Sequence, residues 1–323
     1  FSIYYIPMTE TLCGLVYDPL FTDHKTGSGH PEQPKRTILT YNALKERGLT
    51  KQCRSFPAKK CKEDYLRLAH HPEYLATAKE DIISGKNTLS TGDTQICKES
   101  WDIALAATGG LLNAVDEIIT GDIKRIFSLS RPPGHHATPS RGMGFCILNH
   151  LAIAARYAQK EHKIGKVLIV DWDVHHGNGT QDIFYDDESV LFFSTHQYPW
   201  YPGTGSKEET GTGKGLGSTL NIPLPSGSGR KDLVEGAFGQ DLIKKVVSFK
   251  PELILVSAGF DSRVDDPLGQ FTLSDQDFFD LTQLLLGTAK EFSNGRLLSV
   301  LEGGYNLNGL ASACSSHVKA LIG

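Results

Sequence analysis

Val167-Leu-Ile-Val-Asp171-Trp-Asp173-Val-His175-His-Gly-Asn178-Gly179 is the stretch whose reading decides the fold. Its first four residues are β-branched or leucine with no polar alternation, which suits a strand covered on both faces, and a dense polar cluster follows without a spacer. The same arrangement recurs three times. Ile126–Leu129 leads into Ser130-Arg-Pro-Pro-Gly-His135-His136, Leu253–Val256 into Ser257-Ala-Gly-Phe-Asp261, and Leu297–Leu301 into Glu302-Gly-Gly-Tyr305. Leu15–Tyr17 and Val190–Ser194 are further strand-like runs. Between them lie stretches of helical length: Trp101–Ile119, His150–Glu161, Lys231–Phe249 and Asp275–Phe292, the last opened by a capping box of Ser274 and Asp277. Strands alternating with helices predict an α/β fold with a mostly parallel sheet flanked by helices. In such sheets ligands bind beyond the carboxyl ends of the strands, so the four polar clusters are expected to converge on one edge.

The whole chain is consistent with that frame. No Pro/Ser-rich linker, repeat or low-complexity block divides its 323 residues, which predicts a single domain. Thirty-three basic against 37 acidic residues leave a net charge of -4, which speaks against direct nucleic-acid binding through a basic surface. No run of about 18 uninterrupted apolar residues is present, so no membrane span is expected. Six cysteines without a CxxC pair are read as reduced thiols, and the expected location is cytoplasmic. No Lys/Arg cluster signals nuclear import, though nuclear residence stays open. Residues 1–7 are read as a leader or remnant ahead of Met8, and the glycine-dense Gly203–Gly217 segment as a mobile surface loop.

If Asp171 to His175 is extended, Asp171, Asp173 and His175 share one face while Trp172 and Val174 point into the core. Two carboxylates and an imidazole make a cation site. Asp261, returned to the same edge by a glycine turn, completes with Asp173 and His175 a set of two Asp and one His that leaves positions open for water and substrate, as in a catalytic metal site. Nitrogen and oxygen ligands without thiolate favour zinc, with ferrous iron as the competitor. His135-His136 follows a stiff Arg-Pro-Pro-Gly turn and offers a base near neutral pH, with Asp171 and Asn178 as candidate partners to set tautomer and basicity. Tyr305, after two glycines, is placed to donate to a developing oxyanion.

Arg131-Pro-Pro-Gly-His-His136, Asp171-Trp-Asp-Val-His-His-Gly-Asn-Gly-Thr180, Ser257-Ala-Gly-Phe-Asp261 and Leu301-Glu-Gly-Gly-Tyr305 together resemble the zinc-dependent histone deacetylases, most closely their class II branch and bacterial relatives. The resemblance runs from Gly29-His-Pro-Glu32 to the C-terminal helix and implies a single catalytic domain over residues 8–323. It implies the arginase/deacetylase fold around an eight-stranded sheet, and hydrolysis of N-ε-acetyl-lysine to acetate and free lysine. Carried over by position, it implies zinc on Asp173, His175 and Asp261, with Tyr305 polarising the amide carbonyl. His136 becomes general base and acid, backed by Asn178, and His135 its electrostatic partner, backed by Asp171. Gly144, Phe145 and Tyr201 become channel walls, and Asp93 a rim residue holding the substrate backbone. The resemblance further implies structural potassium at Asp171, Asp173, His175, Ser194 and Thr195, and a second potassium at Phe184, Asp187 and Val190. Leu268 stands where the acetylpolyamine-selective relative carries Glu, so an acetylated protein or peptide is the expected partner.

Two other classes compete. A small-molecule amidohydrolase acting on acetylpolyamines or other acylated amines fits the same residues except Leu268. A non-catalytic acyl-lysine binder would keep the pocket but has no need of both histidines and Tyr305. An arginase-like reaction would need a paired-metal set that the sequence does not offer. Oligomeric state is not legible.

Overall fold

A computed structural model describes residues 13–323; the expectations for residues 1–7 and Met8 lie outside them. Eight strands form one sheet in the order β2-β1-β3-β8-β7-β4-β5-β6, every neighbouring pair parallel. They are β1 (Cys13–Val16), β2 (Cys53–Phe56), β3 (Arg125–Ser128), β4 (Val167–Asp171), β5 (Val190–Gln197), β6 (Thr219–Leu224), β7 (Leu253–Ala258) and β8 (Leu297–Leu301). The four strands that precede the polar clusters, β3, β8, β7 and β4, are contiguous at the centre. Their ends are level: Asp171 pairs with Ser257, Ala258 with Leu301 and Ser128 with Val300. All four clusters therefore emerge side by side at one edge.

Along β4 alternate residues enter opposite cores. Val167 and Ile169 join one apolar cluster, whereas Leu168, Val170, Trp172 and Val174 join the other. That division needs helices on both faces, supplied by α1 (Lys35–Glu46), α2 (Pro72–Ile83), α3 (Ser100–Thr120), α4 (His150–His162), α5 (Asn178–Phe184), α6 (Ile243–Phe249), α7 (Asp275–Phe292) and α8 (Leu307–Ile322). Helix α3 has the length and composition of a bilayer-crossing helix, but 72% of its apolar window is buried inside the fold. It serves as a core helix against the sheet. The expected helix over Lys231–Phe249 is instead a π-helix, Lys231–Leu242, running into α6, and it carries Gly236 and Gly239, both weak helix formers.

The Gly203–Gly217 segment is not a loose loop. Glu209 accepts hydrogen bonds from the N–H groups of Gly205 and Ser206 and from Gln181, while Thr212 N–H reaches Tyr185 O and Lys214 N–H reaches Asp186. All six cysteines are free.

Candidate active site

Beyond β4 the chain curls instead of continuing extended. Asp171 accepts the N–H of Asp173 and Asp173 accepts the N–H of His175, so each carboxylate folds back on its own backbone. This separates residues expected to share a face. Asp171 turns to His135, whereas Asp173 and His175 meet Asp261, delivered by the turn after β7. One ligand atom from each of Asp173, His175 and Asp261 lies within 4.8 Å of the others, and all three residues are buried. His175 Nδ1 is 3.0 Å from Asp173 and 3.2 Å from Asp261. Burial pushes the imidazole towards its neutral form, but the two carboxylates it faces outweigh it and raise its pKa to about 10. Burial, reinforced by Asp173, raises Asp261 to about 7.

These residues fit a divalent cation. Oδ2 of Asp261 is a buried oxygen that approaches His175 Nδ1 at 3.2 Å without the geometry of a hydrogen bond, whereas a buried acceptor normally has one. A Cβ on Gly303 would fall 2.0 Å from that same oxygen and 2.6 Å from Oδ2 of Asp173, so only glycine lets the β8 loop lie over the carboxylates. The donor set is hard to borderline, nitrogen and oxygen without thiolate.

The paired histidines sit on the loop after β3 with ring centroids 4.0 Å apart. His135 Nδ1 is 2.9 Å from Asp171, and His136 Nδ1 is 2.8 Å from Oδ1 of Asn178 at the start of α5. For His135, burial works against charge, but Asp171, Asp173 and Glu302 outweigh it and raise its pKa to about 10. For His136, burial and then the neighbouring His135 and His175 drive the pKa well down. The pair is thus split into a cation and a neutral imidazole. Because Asn178 presents its oxygen, with its amide nitrogen turned to Sδ of Met143, His136 Nδ1 carries the proton and Nε2 keeps its lone pair.

Tyr305, in the loop after β8, lines the same pocket as His136. Burial holds its phenol well above its usual range, so it remains a neutral donor. Its backbone is fixed by Asp266, which accepts the N–H groups of Tyr305 and Asn306, and the Arg36 guanidinium lies 4.9 Å from its ring centroid. Asp93, His136, Gly144, Phe145, His175, Tyr201, Leu268 and Tyr305 all line one pocket of about 280 Å³. Asp93 sits exposed at its rim, while Phe145, Leu268 and Tyr305 are partly buried.

The strand-end positions read as a potassium site place Asp171 opposite Ser194 in register, and the buried Thr195 hydroxyl has no partner. The second such group fits a cation poorly. Asp187 already meets the Arg156 guanidinium and the N–H and hydroxyl of Ser189, and Arg156 also stacks on Phe184, 4.6 Å from its centroid.

Sequence reasoning missed the groups that hold these loops. The buried Glu302 carboxylate accepts the N–H groups of Gly134 and His135 and the Ser257 hydroxyl, and burial raises it to about 7. Buried Arg36 donates to the carbonyls of Glu302 and Gly304, and Glu32 bridges Arg36 to Arg131. Nothing in residue type or spacing distinguishes these charges from solvated ones; only tertiary burial does.

The sequence model of the histone deacetylase domain matches residues 30–321. A protein of Archaeoglobus fulgidus described as a probable deacetylase is 39% identical over 92% of this chain and 82% of its own length. The human polyamine deacetylase HDAC10 is 39% identical over 90% of this chain but 44% of its own. The rice chloroplastic histone deacetylase 10 is 38% identical over 91% of this chain and 70% of its own. The crystal structure of the HDA15 HD domain superposes with a TM-score of 0.90 at 34% identity, covering 96% of this chain and 88% of that one. With sequence and sheet topology agreeing over nearly its whole described length, the chain belongs to the histone deacetylase domain family.

Proposed function

We propose that the site hydrolyses the amide of N-ε-acetyl-lysine in a protein or peptide, releasing acetate and the free lysine amine. One observation carries this reading. His135 on the Asp171 carboxylate and His136 on the Asn178 amide stand side by side, with His136, His175 and the Tyr305 phenol lining one pocket and Asp173 and Asp261 grouped with His175. Asp173, His175 and Asp261 would hold a divalent cation, zinc in preference to ferrous iron, which when bound supplies Lewis acidity towards an acyl oxygen and a water.

The chain's own groups do the rest. Phe145 and Tyr201 line the pocket with apolar rings that suit an alkyl stem and exclude water. Nε2 of His136 accepts the proton of the attacking water and, once protonated, returns it to the leaving amine. The charge on His135, held by Asp171, stays in place and favours the growing negative charge beside it. The Tyr305 hydroxyl donates to the developing substrate oxyanion. A structural monovalent cation at the ends of β4 and β5, by the unpartnered Thr195 hydroxyl, would brace the Asp171 turn.

Leu268 in the pocket wall supports a peptide over a polyamine, since it offers a cationic amine no attraction. Acetylated polyamine is the competing substrate, raised by the name of the human relative. The test compares kcat/KM for an acetyl-lysine peptide and for acetylspermidine, on zinc-loaded protein and its Tyr305→Phe variant. The peptide is expected to be preferred, with Tyr305→Phe losing about 10²- to 10³-fold in kcat. Preference for acetylspermidine transfers the assignment to polyamines, and turnover of neither overturns the deacetylase reading.

A further inference from the structure

We propose that the Tyr201 hydroxyl, through its hydrogen bond to Asp93, clasps the two aromatic walls of the pocket together and restricts the site to acyl amines on an unbranched alkyl stem; this deepens the function proposed above and rests on it. The two walls come from separate connections, Phe145 from the one after β3 and Tyr201 from the one after β5. Asp93, between α2 and α3, joins them: one carboxylate oxygen accepts the Gly144 N–H at 2.7 Å, and the other accepts the Tyr201 hydroxyl at 3.1 Å.

The Phe145 side needs such an anchor. Gly144 and Phe145 are consecutive left-handed residues, with φ of 57° and 67°, and a phenylalanine keeps that conformation only where its surroundings impose it. Nor can this wall shift freely inward, since a Cβ on Gly144 would already lie 2.3 Å from the His136 ring. The opposite wall is held from a second side. The indole N–H of Trp200 donates to Leu268 O at 3.1 Å, so consecutive residues 200 and 201 reach to different loops across the mouth. Tyr201 is 38% exposed and its ring stands edge-on to His136 at 5.2 Å, which makes it a wall that would swing outward once its hydroxyl is released.

The clasp acts on binding geometry and leaves His136 and Tyr305 untouched, so Tyr201 is a positioning residue. For Tyr201→Phe the KM for an acetyl-lysine peptide is expected to rise about fivefold, the weight of one partly exposed hydrogen bond to a charged group, with kcat within about twofold. Selectivity between the peptide and a wide aryl substrate such as acetanilide should move towards the aryl amide by a similar factor. Because the hydroxyl acts through Asp93, the double variant Tyr201→Phe/Asp93→Ala should bind no worse than Asp93→Ala alone. Unchanged KM and selectivity in Tyr201→Phe, or full additivity with Asp93→Ala, overturns the clasp. Affinities for straight-chain and aryl hydroxamates, measured by calorimetry, give the same comparison without turnover. A wild type that cleaves no acyl-lysine therefore refutes the proposed function while the clasp is decided separately.

Discussion

Replacing Glu32 by glutamine keeps the shape of the side chain and removes its charge. The Glu32 side chain has no exposed surface, and its carboxylate meets the guanidinium groups of Arg36 at 3.1 Å and Arg131 at 2.7 Å, both equally buried. Burial opposes its ionisation, yet Arg131 and Arg36 hold it well below the usual carboxylate range. In Glu32→Gln two buried cations lose their counter-ion, a loss of about 3–5 kcal/mol for an ion pair broken on one side. An unfolding entropy of about 2.1 cal/mol/K per residue over 323 residues gives about 0.7 kcal/mol/K, so about 4 kcal/mol lowers Tm by about 6 °C. Scanning calorimetry reads this directly. The control is Asp102→Asn, which breaks the Lys60–Asp102 pair; its side chains are 52% and 58% exposed, so the loss is under about 1 kcal/mol, or about 1.5 °C. Activity should fall as well at temperatures where the variant is folded, because Arg36 holds the carbonyls of Glu302 and Gly304 next to Tyr305. A Glu32→Gln variant that melts within about 1 °C of wild type would refute the reasoning: the cluster would then not depend on that charge.

Gly303→Ala should abolish stoichiometric zinc uptake, measured by elemental analysis, while near-ultraviolet circular dichroism stays native, since the new methyl occupies the space beside Asp173 and Asp261. Retained zinc would place the cation elsewhere. Chelation should lower Tm and zinc restore it, by about 4 kcal/mol at a thousandfold excess over Kd, because the unfolded chain lacks the assembled site; a Tm indifferent to zinc rules out a preformed site. Stability should also fall as pH drops from about 6.5 to 4. Burial lowers His24, His70, His150 and His196 to about 4 and His317 to about 3, beneath the unfolded value of 6.5, so their contribution is present above 6.5 and lost as the unfolded chain binds protons. Asp261 and Glu302, raised to about 7, run the other way and are outnumbered. A urea midpoint that is flat between pH 7 and 5 contradicts this balance.

Helix α7 and strand β8 were readable to the residue, because a capping box and a short apolar run, broken only by Ser299, are local signals. The edge strands β2 and β6 were not. Cys53-Arg-Ser-Phe56 and Thr219-Leu-Asn-Ile-Pro-Leu224 are partly exposed and mix polar residues or proline into the run, as an edge position tolerates and a central one does not. Helices α1, α2 and α5 were likewise left unassigned, and so were the loops they help to pin.

By itself the sequence determined which residues gather: each polar cluster directly follows a buried strand, and a parallel sheet sends all such ends to one edge. It also determined the donor chemistry at Asp173, His175 and Asp261. Tertiary structure decided the division of labour. Asp171 left the cation cluster because the chain curls after β4, and the two histidines were set apart by their surroundings, His135 against a carboxylate 36 residues away and His136 against an amide 42 residues away, where burial and its two imidazole neighbours hold it neutral. Arg36 reaches the Tyr305 loop across 268 residues of chain. Such pairings depend on burial and on distances set only when the sheet closes, and local residue order carries neither.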